Sequence, residues 1–226
     1  MTFSITGRCA RTGQVGVAIT TSSIAVGSRC PWVRAGVGAV ATQNVTKPSI
    51  GNDVLDRIAA GADTQSALDN VIGAEDFPDY RQVAVVDSKG GTALFSGSKT
   101  LGQHAEVIGR DCIAAGNLLS DTRLPQVMAS SFETLSDLSL PERLLKALES
   151  GLHEGGGEEG PVHSACLLVA DSTPWPLVDL RVDWSDECPI AALRALWEAY
   201  EPQMADYVAR ALNPDAAPSY GVPGDL

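Results

Sequence analysis

Short apolar runs alternate with turn residues at the start of the chain. This pattern predicts a β-strand over Thr2–Arg8, a turn at residues 11–13 and a second strand over residues 14–21, which together form a hairpin. Residues 36–43 are small, apolar and rich in glycine. Such a composition is typical of a buried strand that another backbone approaches closely.

Apolar positions take on helical spacing in the next part of the chain. Residues 48–61 predict one helix, and Asp63 is placed to cap a second. Residues 82–87 and 92–96 are strand-like and flank the glycine-containing turn at residues 88–91. They predict a second hairpin.

The second half of the chain mixes strands and helices in the same way. A short apolar strand is predicted over residues 112–115, followed by two helices. Ser139 and Glu142 have the spacing of a capping box at the start of the second helix. The glycine- and glutamate-rich residues 154–160 predict a solvated loop within the domain. Strands are predicted after it at residues 162–170 and 177–183.

The chain closes with a predicted helix and a tail. The helix begins near Asp186, and Pro202 should kink or divide it. Residues 1–212 therefore predict a single domain, followed by a proline- and glycine-rich tail at residues 213–226. Because the strands come in hairpins rather than alternating with helices, we predict an α+β fold with antiparallel sheets and the helices outside them.

Composition narrows the function classes. The 226 residues carry a formal net charge of -12, which disfavours nucleic acid and anionic membranes as partners. No apolar run is long enough to cross a membrane, and the start lacks the pattern of a signal peptide. Five scattered cysteines without C-x-x-C spacing indicate reduced thiols, so we expect a cytoplasmic protein.

Short segments spread over nearly the whole chain resemble one family. They are similar, in order, to the bacterial and archaeal domain of unknown function family 1028, an uncharacterised branch of the N-terminal-nucleophile (Ntn) hydrolase superfamily. The resemblance implies a four-layer αββα sandwich with two mainly antiparallel sheets; the superfamily includes amidohydrolases and proteasome-type peptidases. This chain departs from the family at Ser22, where a lysine is frequent, and at Trp184, where a histidine is frequent. The similar segments are residues 2–5, 16–18, 25–28, 31–32, 35–43, 80–83, 95–99, 116–117 and 178–183.

Thr2 is the first candidate for chemistry. Removal of Met1 would give Thr2 both a nucleophilic hydroxyl and a free α-amine. The reference pKa of such an amine is roughly 7.7–8.0, so the amine can accept the proton of the hydroxyl. The alternative is that Thr2 is only a β-branched residue that begins a strand. Retention of Met1 would favour that alternative.

Hydroxyl and amide side chains at strand ends are the second group of candidates. Thr21 and Ser22 could orient a substrate, or they could simply cap a strand end. Gln43 and Asn44 could donate hydrogen bonds to a substrate carbonyl or carboxylate, or could pair with the backbone polar groups of a turn. Asn117, after a strand, suits an oxyanion hole or an ordinary strand-to-helix turn.

Charged residues form a third group. Asp179, Arg181 and Asp183 share one strand face, where they form either an exposed ion-pair ladder or a polar site. Arg81 could bind an anionic group or pair with surface acids. The two aspartates have no evident third partner for a metal, and no cofactor motif is present. We therefore predict neither a metal nor a cofactor.

Two main functions follow from the sequence and the resemblance, and a third, hydrolysis through an internal hydroxyl of residues 20–23, has no visible base beside it. The first is an Ntn-type amidohydrolase acting on an amide bond of a small metabolite or short peptide, with Thr2 and Asn117 in catalysis. The second is a catalytically inactive domain of the same fold that binds a small molecule or a protein partner. Packed apolar helices and the proline-rich tail predict a homo-oligomer.

Overall fold

A computed structural model describes residues 1–221 of the chain. Within these residues, antiparallel strands and α-helices form an α+β fold, as predicted. No helix in this part of the chain has the length and apolar character needed to cross a membrane. The strands are β1 (Thr2–Arg8), β2 (Val15–Thr21), β3 (Pro31–Arg34), β4 (Gly38–Asn44), β5 (Arg81–Asp87), β6 (Thr92–Ser96), β7 (Ala105–Gly109), β8 (Cys112–Asn117), β9 (Ser164–Ala170) and β10 (Val178–Val182). The helices are α1 (Ser49–Ala59), α2 (Thr64–Gly73), α3 (Leu124–Thr134), α4 (Leu140–His153), α5 (Pro189–Tyr200) and α6 (Met204–Leu212).

The strands form two antiparallel sheets. One has the order β10-β9-β2-β1-β8-β7, and the other has the order β3-β4-β5-β6. Strand β1 lies at the centre of the larger sheet, between β2 and β8. In this register Thr2 lies opposite both Thr21 and Asn117. The start of β1 is therefore flanked by the ends of its two neighbours.

Side-chain alternation along β1 separates two interfaces. Phe3 and Ile5 are fully buried in a core that includes residues of α3, α4 and α5. Since successive strand residues point to opposite faces, Thr2, Ser4 and Thr6 face the other way, toward the smaller sheet. The polar, alternating start of the chain is thus placed between the sheets.

A second apolar core lies between the two sheets. Val17 and Ile19 from β2 pack with Ala39 and Ala41 from β4. The small side chains on β4 let the sheets approach closely, which explains the small-residue composition of that strand. On the other face of the smaller sheet, apolar residues of α1 and α2 pack against β4 and β5.

Two predicted helix signals are confirmed, and one is wrong. The carboxylate of Asp63 accepts a hydrogen bond from the Ser66 N–H at 2.9 Å and caps α2. Pro202 lies in a short turn that divides α5 from α6. Ser139 precedes α4 but makes no side-chain cap hydrogen bond. Its expected partner, Glu142, instead accepts from side chains of α5, so tertiary contacts override the local capping box.

The glycine-rich connector departs most from its prediction. The composition of residues 154–160 predicts a solvated loop, yet the Glu158 side chain is buried. Glu158 forms an antiparallel bridge with Leu119, which ties the connector to the segment after β8. Sequence patterning also misses β3 and β7, which are short.

The start of the predicted tail packs on the chain itself. Arg210 donates a hydrogen bond to the Pro218 carbonyl at 3.0 Å, and its guanidinium lies 3.9 Å from the ring of Tyr220. Residues 222–226 of the predicted tail lie outside the described residues. The five cysteines are free thiols, as predicted, and four of them are buried.

Candidate functional site

A chain of polar side chains links the two sheets near the start of β1. The Ser4 hydroxyl donates to Oε1 of Gln43 at 2.7 Å, and Nε2 of Gln43 donates to Oε1 of Gln82 at 2.8 Å. All three residues are buried. Because a buried polar group is costly unless it is paired, these hydrogen bonds hold the facing strands in one arrangement.

The same network reaches β8. Nδ2 of Asn117 donates to Oε1 of Gln82 at 3.2 Å, and Nε2 of Gln82 donates to the Gly116 carbonyl at 3.3 Å. Oδ1 of Asn117 is buried and has no hydrogen-bond partner within residues 1–221. The Asn117 side chain therefore has an open acceptor oxygen, and one of its two N–H donors is already engaged by Gln82. The open oxygen suits an N–H donor.

Thr2 lies beside this network with its hydroxyl buried. Oγ1 of Thr2 donates to the Met1 carbonyl at 2.6 Å and lies 3.1 Å from Oγ1 of Thr21. The Thr21 hydroxyl donates to the same Met1 carbonyl oxygen. Two neighbouring hydroxyls thus converge on one carbonyl oxygen at the start of β1.

Backbone strain occurs at the same end of the sheet. Leu118, directly after Asn117, has φ of +52°, and Ala25 has φ of +54°. A bulky residue such as leucine rarely adopts this left-handed conformation. Strain of this kind persists where the surrounding structure enforces it, and it clusters at functional sites.

Glu158 is a buried carboxyl group that sequence reasoning missed. Neither of its carboxyl oxygens has a hydrogen-bond partner in the described part of the chain. Burial raises its pKa to about 8, and the charge of the Met1 ammonium offsets that increase only in part. The Ser120 hydroxyl fixes the backbone by donating to the Glu158 carbonyl at 2.5 Å.

Sequence signals exist for some of the missed residues. Ser4 lies two positions after Thr2, so a shared strand face was predictable from the period of two. Gln82 begins a predicted strand with a polar residue. Glu158 has no such signal, since its neighbours are glycine and glutamate.

Of the predicted substrate-binding residues, Thr21 and Gln43 lie in this region, and Ser22 is half-buried after Thr21. Asn44 and Arg81 instead support turns. Asn44 has φ of +70° and donates to the Tyr80 carbonyl at 2.7 Å. Arg81 forms an ion pair with Glu75 at 3.2 Å.

The charged strand face lies away from the Thr2 region. Asp179 and Arg181 form an exposed ion pair on β10, the edge strand, with Nε to Oδ1 at 2.6 Å. Asp183 follows the end of β10 and is exposed. This contact is an ion pair of the kind that the first interpretation of the face predicts. No cluster of three or more metal-ligating side chains occurs among the described residues.

Comparison with known families finds one that matches most of the chain. The model of the family of unknown function DUF1028 matches residues 2–193. This chain belongs to the DUF1028 family. A DUF1028 protein of known crystal structure, protein SPO2555 from Silicibacter pomeroyi, is 32% identical and superimposes with a TM-score of 0.83 over 91% of this chain and 89% of that chain. The DUF1028 fold is therefore shared over nearly the whole length.

Two weaker structural similarities involve a different group of proteins. Anbu (ancestral β-subunit) from Yersinia bercovieri is 10% identical, with a TM-score of 0.38 over 91% of this chain and 96% of that one. An Anbu Gly-1 mutant from Hyphomicrobium sp. strain MC1 is 11% identical, with a TM-score of 0.42 over 90% and 96% of the two chains. A search of curated proteins found no match.

Proposed function

We propose that this DUF1028 protein is an Ntn-type hydrolase of amide bonds in small metabolites or short peptides, built on a four-layer αββα sandwich. The observation that carries the proposal is the position of the Met1 carbonyl at the start of β1. Both the Thr2 and the Thr21 hydroxyl donate to the oxygen of that carbonyl, which belongs to Met1. Removal of Met1 would free both hydroxyls, and the α-amine of Thr2, to meet the carbonyl of a substrate.

Thr2 would supply both the nucleophile and the base. Its freed α-amine accepts the hydroxyl proton as Oγ1 attacks the substrate carbonyl carbon. The C–N bond breaks, the leaving amine takes the proton, and an ester forms on Oγ1. Water then hydrolyses the ester, which releases the acid and restores the hydroxyl.

The neighbouring groups have supporting roles in this scheme. The Thr21 hydroxyl would donate to the oxygen that becomes negatively charged, as it does to the Met1 carbonyl. Asn117 lies opposite Thr2 in the sheet, and its open acceptor oxygen would orient the α-amine. The buried hydrogen bonds among Ser4, Gln43 and Gln82 keep these strands in register.

A binding domain without chemistry is the second candidate. With Met1 in place, both hydroxyls are already occupied by its carbonyl. A chain that keeps Met1 would have no free α-amine on Thr2. Ser22, where the resemblance implies a lysine, also leaves this region without that cation.

The test is hydrolysis of an amide panel by the chain beginning at Thr2. We expect Thr2→Ala to reduce kcat/KM by at least about a thousandfold, because it removes the nucleophile. Thr12→Ala in the exposed first turn is the matched control and should retain full activity. Equal activity of the Thr2→Ala variant and the parent would refute the proposal. Binding of panel members without hydrolysis would favour the second candidate.

A further inference from the structure

The carbonyl and the side chain of Met1 meet different parts of the fold. Its carbonyl oxygen accepts hydrogen bonds from the Thr2 and Thr21 hydroxyls, as described above. The proposed reaction brings the substrate carbonyl to the same two hydroxyls. The rest of Met1 therefore indicates which groups of a substrate's acyl part the surrounding fold accommodates.

The Met1 side chain packs toward Gly160. A β-carbon added at Gly160 would lie 3.2 Å from Cε of Met1 and 3.7 Å from its Sδ. Because 3.2 Å is tighter than ordinary van der Waals contact, any larger residue at position 160 would crowd this side chain. The lack of a side chain at Gly160 leaves room for an unbranched apolar group.

The buried carboxyl group of Glu158 lies two residues before Gly160, which the Met1 side chain approaches. The Glu158 side chain is only 6% exposed, and neither carboxyl oxygen has a hydrogen-bond partner among residues 1–221. A buried carboxyl group without a partner is costly, so such groups are usually paired with a cation or a donor. Burial raises the pKa of Glu158, and a cation such as the Met1 ammonium acts in the opposite direction, which favours the ionised carboxylate.

We infer that the place of Met1 is the acyl subsite, and that the substrates are amides of α-amino acids with a free amino group and an unbranched apolar side chain. This inference rests on the proposed function. The substrate carbonyl accepts from the Thr2 and Thr21 hydroxyls, as the Met1 carbonyl does. The substrate ammonium then faces Glu158, and its side chain lies against Gly160.

The buried carboxyl group makes this subsite selective. An N-acetylated substrate carries no ammonium, so its binding would leave Glu158 without a cation and add the bulk of the acetyl group. Sites that pair buried polar groups with a substrate discriminate strongly against analogues that lack the matching group. The reaction itself is unchanged: Thr2 forms the ester, the amine leaves, and water releases the free amino acid.

Hydrolysis of two probes tests the role of Glu158. We would compare kcat/KM for L-methioninamide and N-acetyl-L-methioninamide in the chain beginning at Thr2. The expected preference for the free amine is at least about 100-fold. Glu158→Gln keeps the shape of the side chain and should reduce that preference at least about tenfold, whereas Glu159→Gln, at an exposed neighbour, should not. An equal preference in both variants would overturn the inference.

A second variant tests the side-chain contact independently. Gly160→Ala should lower kcat/KM for L-methioninamide relative to glycinamide, because the added methyl group crowds the longer side chain. Gly73→Ala at the end of α2, where an added β-carbon meets nothing within 4 Å, is the matched control. Unchanged selectivity in Gly160→Ala would contradict the assigned side-chain position.

Binding separates failure of this inference from failure of the proposed function. The Thr2→Ala variant, prepared as a chain that begins at position 2, has no nucleophile. Titration calorimetry with this variant measures the affinity for both probes without turnover. Preferential binding of L-methioninamide without hydrolysis by the parent would support the subsite and refute the hydrolase. Hydrolysis of both probes with equal efficiency would leave the hydrolase standing and refute the subsite. Binding of neither probe would also refute the subsite.

Discussion

The Glu158→Gln substitution removes a carboxyl group whose pKa is raised by burial from its ordinary value of 4.5 to about 8. Below pH 4.5 the group is protonated in both the folded and the unfolded chain, so it adds no pH-dependent cost. As the pH rises, the unfolded chain ionises first while the folded chain keeps its proton. The free energy of unfolding therefore falls between pH 4.5 and about 8, and it levels off above that range.

The size of this loss follows from the difference in pKa. A shift from 4.5 to about 8 corresponds to roughly 5 kcal/mol, at about 1.36 kcal/mol per pKa unit. About 3 kcal/mol of that is already lost at about pH 7. The glutamine side chain carries no titrating proton, so the variant should match the parent near pH 4.5 and be several kcal/mol more stable at about pH 9.

Urea unfolding followed by circular dichroism between about pH 4.5 and pH 9 measures this difference. The protein must retain Met1, verified by intact mass, because the Met1 ammonium contributes to the pKa of Glu158. Glu159→Gln is the matched control, since it removes the same charge from an exposed neighbour. Parallel stability curves for the parent and Glu158→Gln would refute the reasoning.

Three further predictions concern stability and are read from the same urea unfolding assay. Asp63→Ala removes the cap of α2 and should cost about 1 kcal/mol; no loss would contradict the cap. Gly51→Ala places a methyl group directly against the Trp32 ring and should cost about 1–3 kcal/mol through forced repacking, so an unchanged stability would contradict that packing. Arg194→Met leaves two glutamates of α4 without their common cation. Because the Arg194 side chain is 19% exposed, we expect the free energy of unfolding to fall by roughly 2 kcal/mol, less than the about 3–5 kcal/mol lost when a fully buried pair is broken. A gain in stability would refute this expectation.

Local signals explain which parts of the fold were predictable. The β1–β2 hairpin, the Asp63 cap and the division at Pro202 depend on residues close in sequence, and all three are confirmed. Strand β7 was missed because its residues are only partly buried, so its apolar pattern is weak. The capping box at Ser139 failed because Glu142 is held by partners on α5, far along the chain.

The candidate site likewise contains residues that were predictable from local sequence and residues that were not. Thr2, Thr21 and Asn117 were predictable because each lies at the end of a recognisable strand. Their meeting depends on the register of the central strands, which the residue pattern alone does not specify. Glu158 was not predictable, because its burial results from the bridge to Leu119 and not from its own glycine-rich surroundings.

The intact mass of the untagged protein purified from its native host tests the central claim most directly. Thr2 can act as nucleophile and base only if its α-amine is free. We therefore predict a mass that corresponds to a chain beginning at Thr2. A mass that retains Met1 in all molecules would contradict the Thr2 mechanism and leave the binding domain as the better account.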